Sequence, residues 1–249
     1  MLIGMNKINI ITIFPDFFNS FINSGLIGKA CEKGILNINI VDLREFGKGN
    51  YSPVDDYCYG TGKSMVMKYD VFYNCLKSFD SGYKVILSPK GRKFNQKIAE
   101  EFSLKENITL FCGRYEGFDG RIFEDVDDVI SVGDYVLNGG ETASLCVIES
   151  MARLIDGFSK TDILKEDSFN DNLLEGYSYT RPDEFNEKKV PDILLNGNHN
   201  MINRYIRKNS LELTMKIRKD LFNDIILKDD DIQMLTEIIN EKCHINTSS

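Results

Sequence analysis

Up to about residue 157 the chain alternates short apolar, strand-like runs with longer amphipathic stretches. The runs cover residues 8–13, 36–41, 84–87, 108–112 and 129–132, and helix-like spacing covers residues 16–33, 69–79, 95–104 and 141–155. This alternation predicts an α/β domain with a largely parallel sheet. Residues 158–172, rich in Asp, Lys, Ser and Asn, break the pattern and read as a linker. Beyond them no stretch makes a good strand candidate, and the remainder reads as a small helical domain ending in a helix over residues 230–241. The predicted organisation is therefore 1–157, a linker at 158–172, and 173–249.

Three glycine-bearing turns punctuate the α/β part: Leu87-Ser88-Pro89-Lys90-Gly91-Arg92, Cys112-Gly113-Arg114-Tyr115-Glu116-Gly117, and the stretch from Ser131 through Asn138-Gly139-Gly140-Glu141. Two directly follow strand-like runs, and the third wraps around another. Glycine lets a ligand approach the backbone without a Cβ in the way, and α/β sheets bind ligands beyond the carboxyl ends of their strands. One such turn is an ordinary connection. Three within about fifty residues, each with a charged or aromatic side chain, predict one pocket lined mainly by backbone groups. It is not a common nucleotide site, because no G-x-G-x-x-G opens a helix after the first strand. Tyr59-Gly60-Thr61-Gly62-Lys63-Ser64 approaches a phosphate loop but lacks its first glycine and a strong strand before it.

Taken together, these motifs resemble the bacterial tRNA (guanine-N1)-methyltransferases of the TrmD type. Glu166-Asp167-Ser168-Phe169, Tyr179-Thr180-Arg181-Pro182 and Leu195-Asn196-Gly197-Asn198-His199 extend the likeness in order and at family spacing, from about residue 8 to 221. The resemblance implies the SPOUT fold, in which a deep trefoil knot gathers the three glycine turns into the site for S-adenosyl-L-methionine. Periodicity alone predicts no knot.

Composition narrows the picture without producing it. The 249 residues are 42% hydrophobic, enough for a core. No run approaches a membrane span, and the first residues carry no basic or cleavable apolar segment. Six cysteines are scattered without a C-x-x-C pair, and with two histidines they make no structural zinc site. Cys112 and Cys146, in apolar runs, read as buried free thiols of a reducing compartment. A cytoplasmic protein without a membrane partner is expected. The net charge of −8 speaks against nucleic acid, yet phosphate contacts are local. Between Asn198 and Asp220 six basic residues, Arg204, Arg207, Lys208, Lys216, Arg218 and Lys219, face two acidic ones at amphipathic helical spacing. Composition alone makes this a solvated face of a helix pair. The resemblance makes Arg204, Arg207 and Lys208 contacts to tRNA.

The resemblance also distributes the chemistry. Methylating guanine N1 requires removal of a ring proton, which Asp167 would accept as general base. Arg153 would hold the negative charge that develops on O6, and Glu116 would support both. Cofactor contacts would fall to Leu87, Ser88, Pro89, Gly113, Val132, Gly133, Asp134, Tyr135, Val136, Leu137, Gly139 and Gly140. In this family each site is shared by two subunits of a homodimer, with Asp167 crossing from the partner. Mg²⁺ dependence is a family property too, although no residue here makes a metal motif.

The chain departs from the family at Cys58, Thr61 and Ser64, where proline and two glycines are usual in a loop near the target nucleotide. Two other classes compete. Another knotted methyltransferase, acting on ribosomal RNA or a ribose 2′-hydroxyl, would lack Glu166-Asp167-Ser168-Phe169 and the helical domain. A non-catalytic tRNA-binding relative would have lost Asp167 or Arg153.

Overall fold

The computed structural model describes residues 6–49, 52–60, 64–79, 82–159, 167–225 and 227–246. The chain divides into two compact units, Met1–Lys160 and Thr161–Ser249.

The first unit is built on a five-stranded sheet of β1 (Asn6–Thr12), β2 (Leu36–Asp42), β5 (Tyr83–Lys93), β6 (Asn107–Cys112) and β7 (Asp128–Ser131), in the order β2-β1-β6-β5-β7. All four pairings are parallel. Alternate side chains enter two separate cores, as a sheet covered on both faces requires. Ile8, Ile10, Val85, Ile108 and Leu110 pack against α2 (Gly25–Glu32), α4 (Gln96–Ser103) and α5 (Gly140–Ala152). Ile11, Ile86 and Phe111 face the other way, against α3 (Tyr69–Ser78). A polar ladder, buried at Asn9 and Thr109 and open to solvent at Asn39, crosses three strands on that second face. Asn39 donates to Asn9 (3.2 Å), which donates to Asn107 (3.1 Å) and Thr109 (3.2 Å). Asn9 pairs in register with both Asn39 and Thr109, so a one-residue slip would leave the buried Asn9 amide unpartnered.

Several elements differ from the sequence prediction. The helix expected over 16–33 is a 3₁₀ turn (Pro15–Phe18), a single turn α1 (Asn19–Ile22) and then α2. Asn23 Nδ2 and Ser24 Oγ donate back to the carbonyls of Asn19 and Ser20, four residues earlier, where local side-chain bonds compete with helix propagation. β5 does not stop at Leu87: after an irregularity between Leu87 and Arg92 it resumes pairing with β7. A short antiparallel pair, β3 (Asp55–Tyr57) and β4 (Met65–Met67), has too few residues to show a period. Cys112 is buried as expected, but Cys146 is exposed. On α5 the core side belongs to Ala143, Val147, Ile148 and Met151, leaving Cys146 on the outer face.

The second unit is organised by α6 (His199–Ile217) and α7 (Asp229–Asn246), which pack Leu211, Met234 and Ile238 around Leu173. The basic segment is thus one long helix followed by a 3₁₀ turn (Lys219–Asp224), not a helix pair. The unit also holds a minimal hairpin, β8 (Glu184–Phe185) and β9 (Lys188–Lys189), turning through Asn186 and Glu187 at positive φ.

Candidate active site

The irregularity after Leu87 in β5 lies beside the ends of β6 at Cys112 and β7 at Ser131 in the sheet, so the turns that follow these three residues converge. They enclose a cavity of about 280 Å³. Leu87, Ser88, Pro89, Gly113, Val132, Gly133, Tyr135, Val136, Leu137, Gly139 and Gly140 all line it, with Glu116. Asp134 does not. Its carboxylate lies largely in solvent, 2.8 Å from Lys93 Nζ. Tyr115, Tyr135, Val136 and Leu137 leave apolar surface uncovered around the cavity, with Val136 91% exposed. Ser131 Oγ donates to the Gly133 carbonyl (3.1 Å), and the Tyr135 hydroxyl to that of Val132 (3.4 Å), which folds the third turn back on its strand.

Some of the glycines serve chain-to-chain contact more than ligand approach. A Cβ on Gly91 would lie 2.3 Å from the Val129 backbone, and one on Gly140 2.7 Å from Cys112 Cα. Gly140 N–H donates to the Gly113 carbonyl (2.9 Å), and Arg114 bridges Gly139 in antiparallel fashion. The second and third turns are therefore fastened to each other by their backbones.

Beneath them lies a buried polar connection that the sequence reading gave no role. Glu141, in the first turn of α5, is 1% exposed. Its carboxylate accepts from Thr12 Oγ1 (2.8 Å) and from Arg114 Nε (2.9 Å). The Thr12 hydroxyl oxygen accepts the Phe14 N–H (3.0 Å), and the Arg114 guanidinium lies 4.5 Å from the centre of the Phe14 ring. Arg114 also donates to the Asn138 carbonyl (3.4 Å). The available signal was a carboxylate at the head of an otherwise apolar helix, since such a group cannot be buried without donors. Phe118 and Phe123, which also wall the cavity, carried no comparable signal. Burial pushes the Cys112 thiol, which ends β6, far above the ordinary range, so it stays protonated.

The other assigned residues lie elsewhere. Arg153 follows the last turn of α5, its N–H donating to the Glu149 carbonyl (3.3 Å), and is not among the residues lining the cavity. Asp167 belongs to the second unit, where it lines a separate cavity of about 490 Å³ with Tyr177, Tyr179, Asn203 and Arg207. Glu166, and Thr61 to Lys63 of the altered loop, fall outside the described residues. Arg204, Arg207 and Lys208 all pair with carboxylates of α7. Arg204 reaches Glu237 (2.6 Å), Arg207 grips Asp231 with two bonds (2.9 and 2.8 Å), and Lys208 meets Glu241 (2.7 Å) and Glu237 (3.2 Å). Among the described residues, no group of three or more His, Cys, Asp or Glu could hold a metal ion. No helix among them is long and apolar enough to cross a membrane.

A parallel sheet with a cavity among the glycine turns at its carboxyl-terminal side makes this an α/β protein, with the cavity where such sheets bind ligands. The family model described as tRNA (Guanine-1)-methyltransferase TrmD matches residues 6–224, and the chain belongs to that family, one of the SPOUT class. Similar curated proteins share the name tRNA (guanine-N(1)-)-methyltransferase. The one from Thermosipho africanus is 42% identical, covering 94% of this chain and 99% of its own length. Those from Sulfurihydrogenibium sp. (95% of each chain) and Clostridium beijerinckii (92% of this chain, 97% of its own) are each 43% identical.

Proposed function

We propose that this protein transfers a methyl group to N1 of guanine in tRNA, at the position immediately 3′ of the anticodon. The observation that carries the reading is the single cavity into which every assigned cofactor contact except Asp134 converges. Its lining fits S-adenosyl-L-methionine: the three glycine turns would offer backbone amides and carbonyls to the adenine edge, and Tyr135 and Leu137 would supply apolar walls. When bound, that cofactor supplies an electrophilic methyl on sulfur. The protein's own work is to place and charge the guanine. Asp167 accepts the N1 proton as the ring nitrogen becomes nucleophilic. Arg153 holds the charge that moves onto O6, and Glu116, at the cavity, orients the base.

Asp167 and the cavity belong to different units of the chain. We infer a homodimer in which each Asp167 serves its partner's cavity, and a cytoplasmic enzyme whose chain threads a trefoil knot through the three fastened turns. The described residues do not fit a dedicated Mg²⁺ site, and no step here is routed through one. The test is methyl transfer from tritiated S-adenosyl-L-methionine to paired tRNA transcripts, with guanine or adenine immediately 3′ of the anticodon. Label should enter only the guanine transcript, at N1. Equal labelling of both, or label on a ribose, would overturn the reading.

A further inference from the structure

The segment that carries Asp167 is a loop closed on itself and stitched to α6. Ser168 Oγ accepts the Glu175 N–H (2.9 Å), the Phe169 N–H donates to the Leu173 carbonyl (2.6 Å), and Asn172 N–H to that of Phe169 (3.3 Å). Phe169, Asp171 and Asn172 hold φ of 73°, 53° and 56°. Non-glycine residues keep such angles only where the surroundings impose them.

The surroundings here are mainly one helix. Leu173 is 4% exposed and sits in the core with Leu211 of α6. The Leu174 N–H donates to Thr214 Oγ1 (2.9 Å), and the Tyr177 N–H to Asn209 Oδ1 (2.9 Å). Thr214 is wholly buried, and its own hydroxyl proton is committed to the Ser210 carbonyl (2.7 Å), which leaves the oxygen lone pair for Leu174. Gly176 lets the loop cross at backbone distance, because a Cβ there would stand 2.8 Å from Asn209 Oδ1. Arg207, already held by Asp231, reaches Asp171 at 3.8 Å, and the Arg218 guanidinium lies 5.7 Å from the Phe169 ring. The closing pair Ser168 and Glu175 stand seven positions apart, and Asp167 is bonded directly to Ser168.

We propose that Thr214 and Asn209 are positioning residues for methyl transfer, fixing through this loop where Asp167 stands. The inference rests on Asp167 as the general base. Neither side chain needs to touch tRNA or cofactor, and both act by holding backbone N–H groups of the loop. An error of about 1 Å in a catalytic group costs up to ~10²-fold.

The experiment is single-turnover methyl transfer at saturating cofactor and guanine transcript, with both affinities measured separately. Thr214→Val, which keeps the shape but loses the acceptor, should slow transfer about tenfold or more and leave both affinities unchanged. Thr214→Ser should restore the rate. In an Asp167→Asn background, Thr214→Val should add nothing, because the group it positions has already lost its function. A wild-type rate for folded Thr214→Val would overturn the proposal, as would an undiminished slowing in the Asp167→Asn background. Should Thr214→Val fail to fold, Asn209→Ala carries the same measurements with the same two overturning results. Near-full turnover by Asp167→Asn alone would instead refute the base assignment, and this inference with it.

Discussion

Among the described residues, each unit buries one carboxylate against one arginine, and the two pairs are built for different purposes. Glu141 and Arg114 sit beside the cavity. Their connections run through Thr12, Phe14 and Asn138, so three separate stretches of chain (12–14, 114 and 138–141) meet around one carboxylate, and its bond to Thr12 spans 129 residues. Asp231 and Arg207 join two neighbouring helices only 24 residues apart, in a two-bond grip. Asp231 also accepts the Lys228 N–H (3.1 Å) just before α7, as the acidic half of a capping box does. The first pair fixes the shape of a ligand cavity, while the second fixes a helix pair. Burial and charge are alike in both, so only the attached groups predict what each loss would do.

The largest effect should come from the helix pair. Asp231→Asn turns an amide N–H₂ toward Arg207, breaks its two-bond grip and leaves the guanidinium only the more exposed Asp171 at 3.8 Å, which costs about 3 kcal/mol, the lower end for a buried pair. Thermal unfolding of the second unit should fall accordingly, while cofactor binding, measured by calorimetry, stays as in wild type. The same pair sets an acid limit. Hydrogen bonds from Arg207 hold the Asp231 carboxyl below its ordinary value of 3.8. Its folded pKa is depressed, so its contribution is fully present above about pH 4 and is lost as pH falls through the folded value. Glu237, lowered by Arg204 and Lys208, shares the direction but is more exposed. An acid-unfolding profile for Asp231→Asn as steep as wild type would break the assignment.

The complementary change is Glu141→Gln. It sets a side-chain N–H₂ against Arg114 Nε and should cost about 1–3 kcal/mol of stability in the first unit. Its diagnostic effect is on the ligand. With Arg114 released, the Asn138–Gly140 stretch loses its fixed seat, and affinity for S-adenosyl-L-methionine should drop roughly tenfold to a hundredfold. Unaltered affinity in a destabilised protein would make both pairs merely structural and erase the contrast between them.

How much of this was legible in the sequence differs along the same line. The strands were readable because a sheet covered on both faces needs apolar side chains on both, and β2 and β6 begin within a residue of the predicted runs. The cavity was readable from glycine turns at strand ends. What escaped depended on partners distant in the chain. Nothing local says that Thr12 meets Glu141, or that Arg207 faces a carboxylate on another helix instead of solvent. β3 and β4 are too short for a period, and α1 is cut from α2 by side-chain bonds that apolar spacing does not register. The roles of Asp167 and Arg153 came from family likeness alone, because no spacing rule brings residues of separate units together.

The smallest change sharpens the comparison by testing the other basic residues of α6. Arg204 and Lys208 are partly exposed, and their pairs with Glu237 and Glu241 are of the surface kind. Such solvent-screened pairs contribute little to stability. Arg204→Ala with Lys208→Ala should therefore barely move the melting of the second unit, unlike Asp231→Asn. If these cations exchange a carboxylate for a phosphate when tRNA binds, affinity should fall and the slope of log affinity against log salt should flatten by roughly one per lost contact. The exchange has a cost, because each cation must first leave its carboxylate. Glu237→Gln with Glu241→Gln should then strengthen tRNA binding by freeing both cations. That opposite sign separates an RNA-facing surface from a helix pair that only uses its charges internally. An unchanged salt slope in both double variants would leave Arg204 and Lys208 as bonds between α6 and α7 and nothing more.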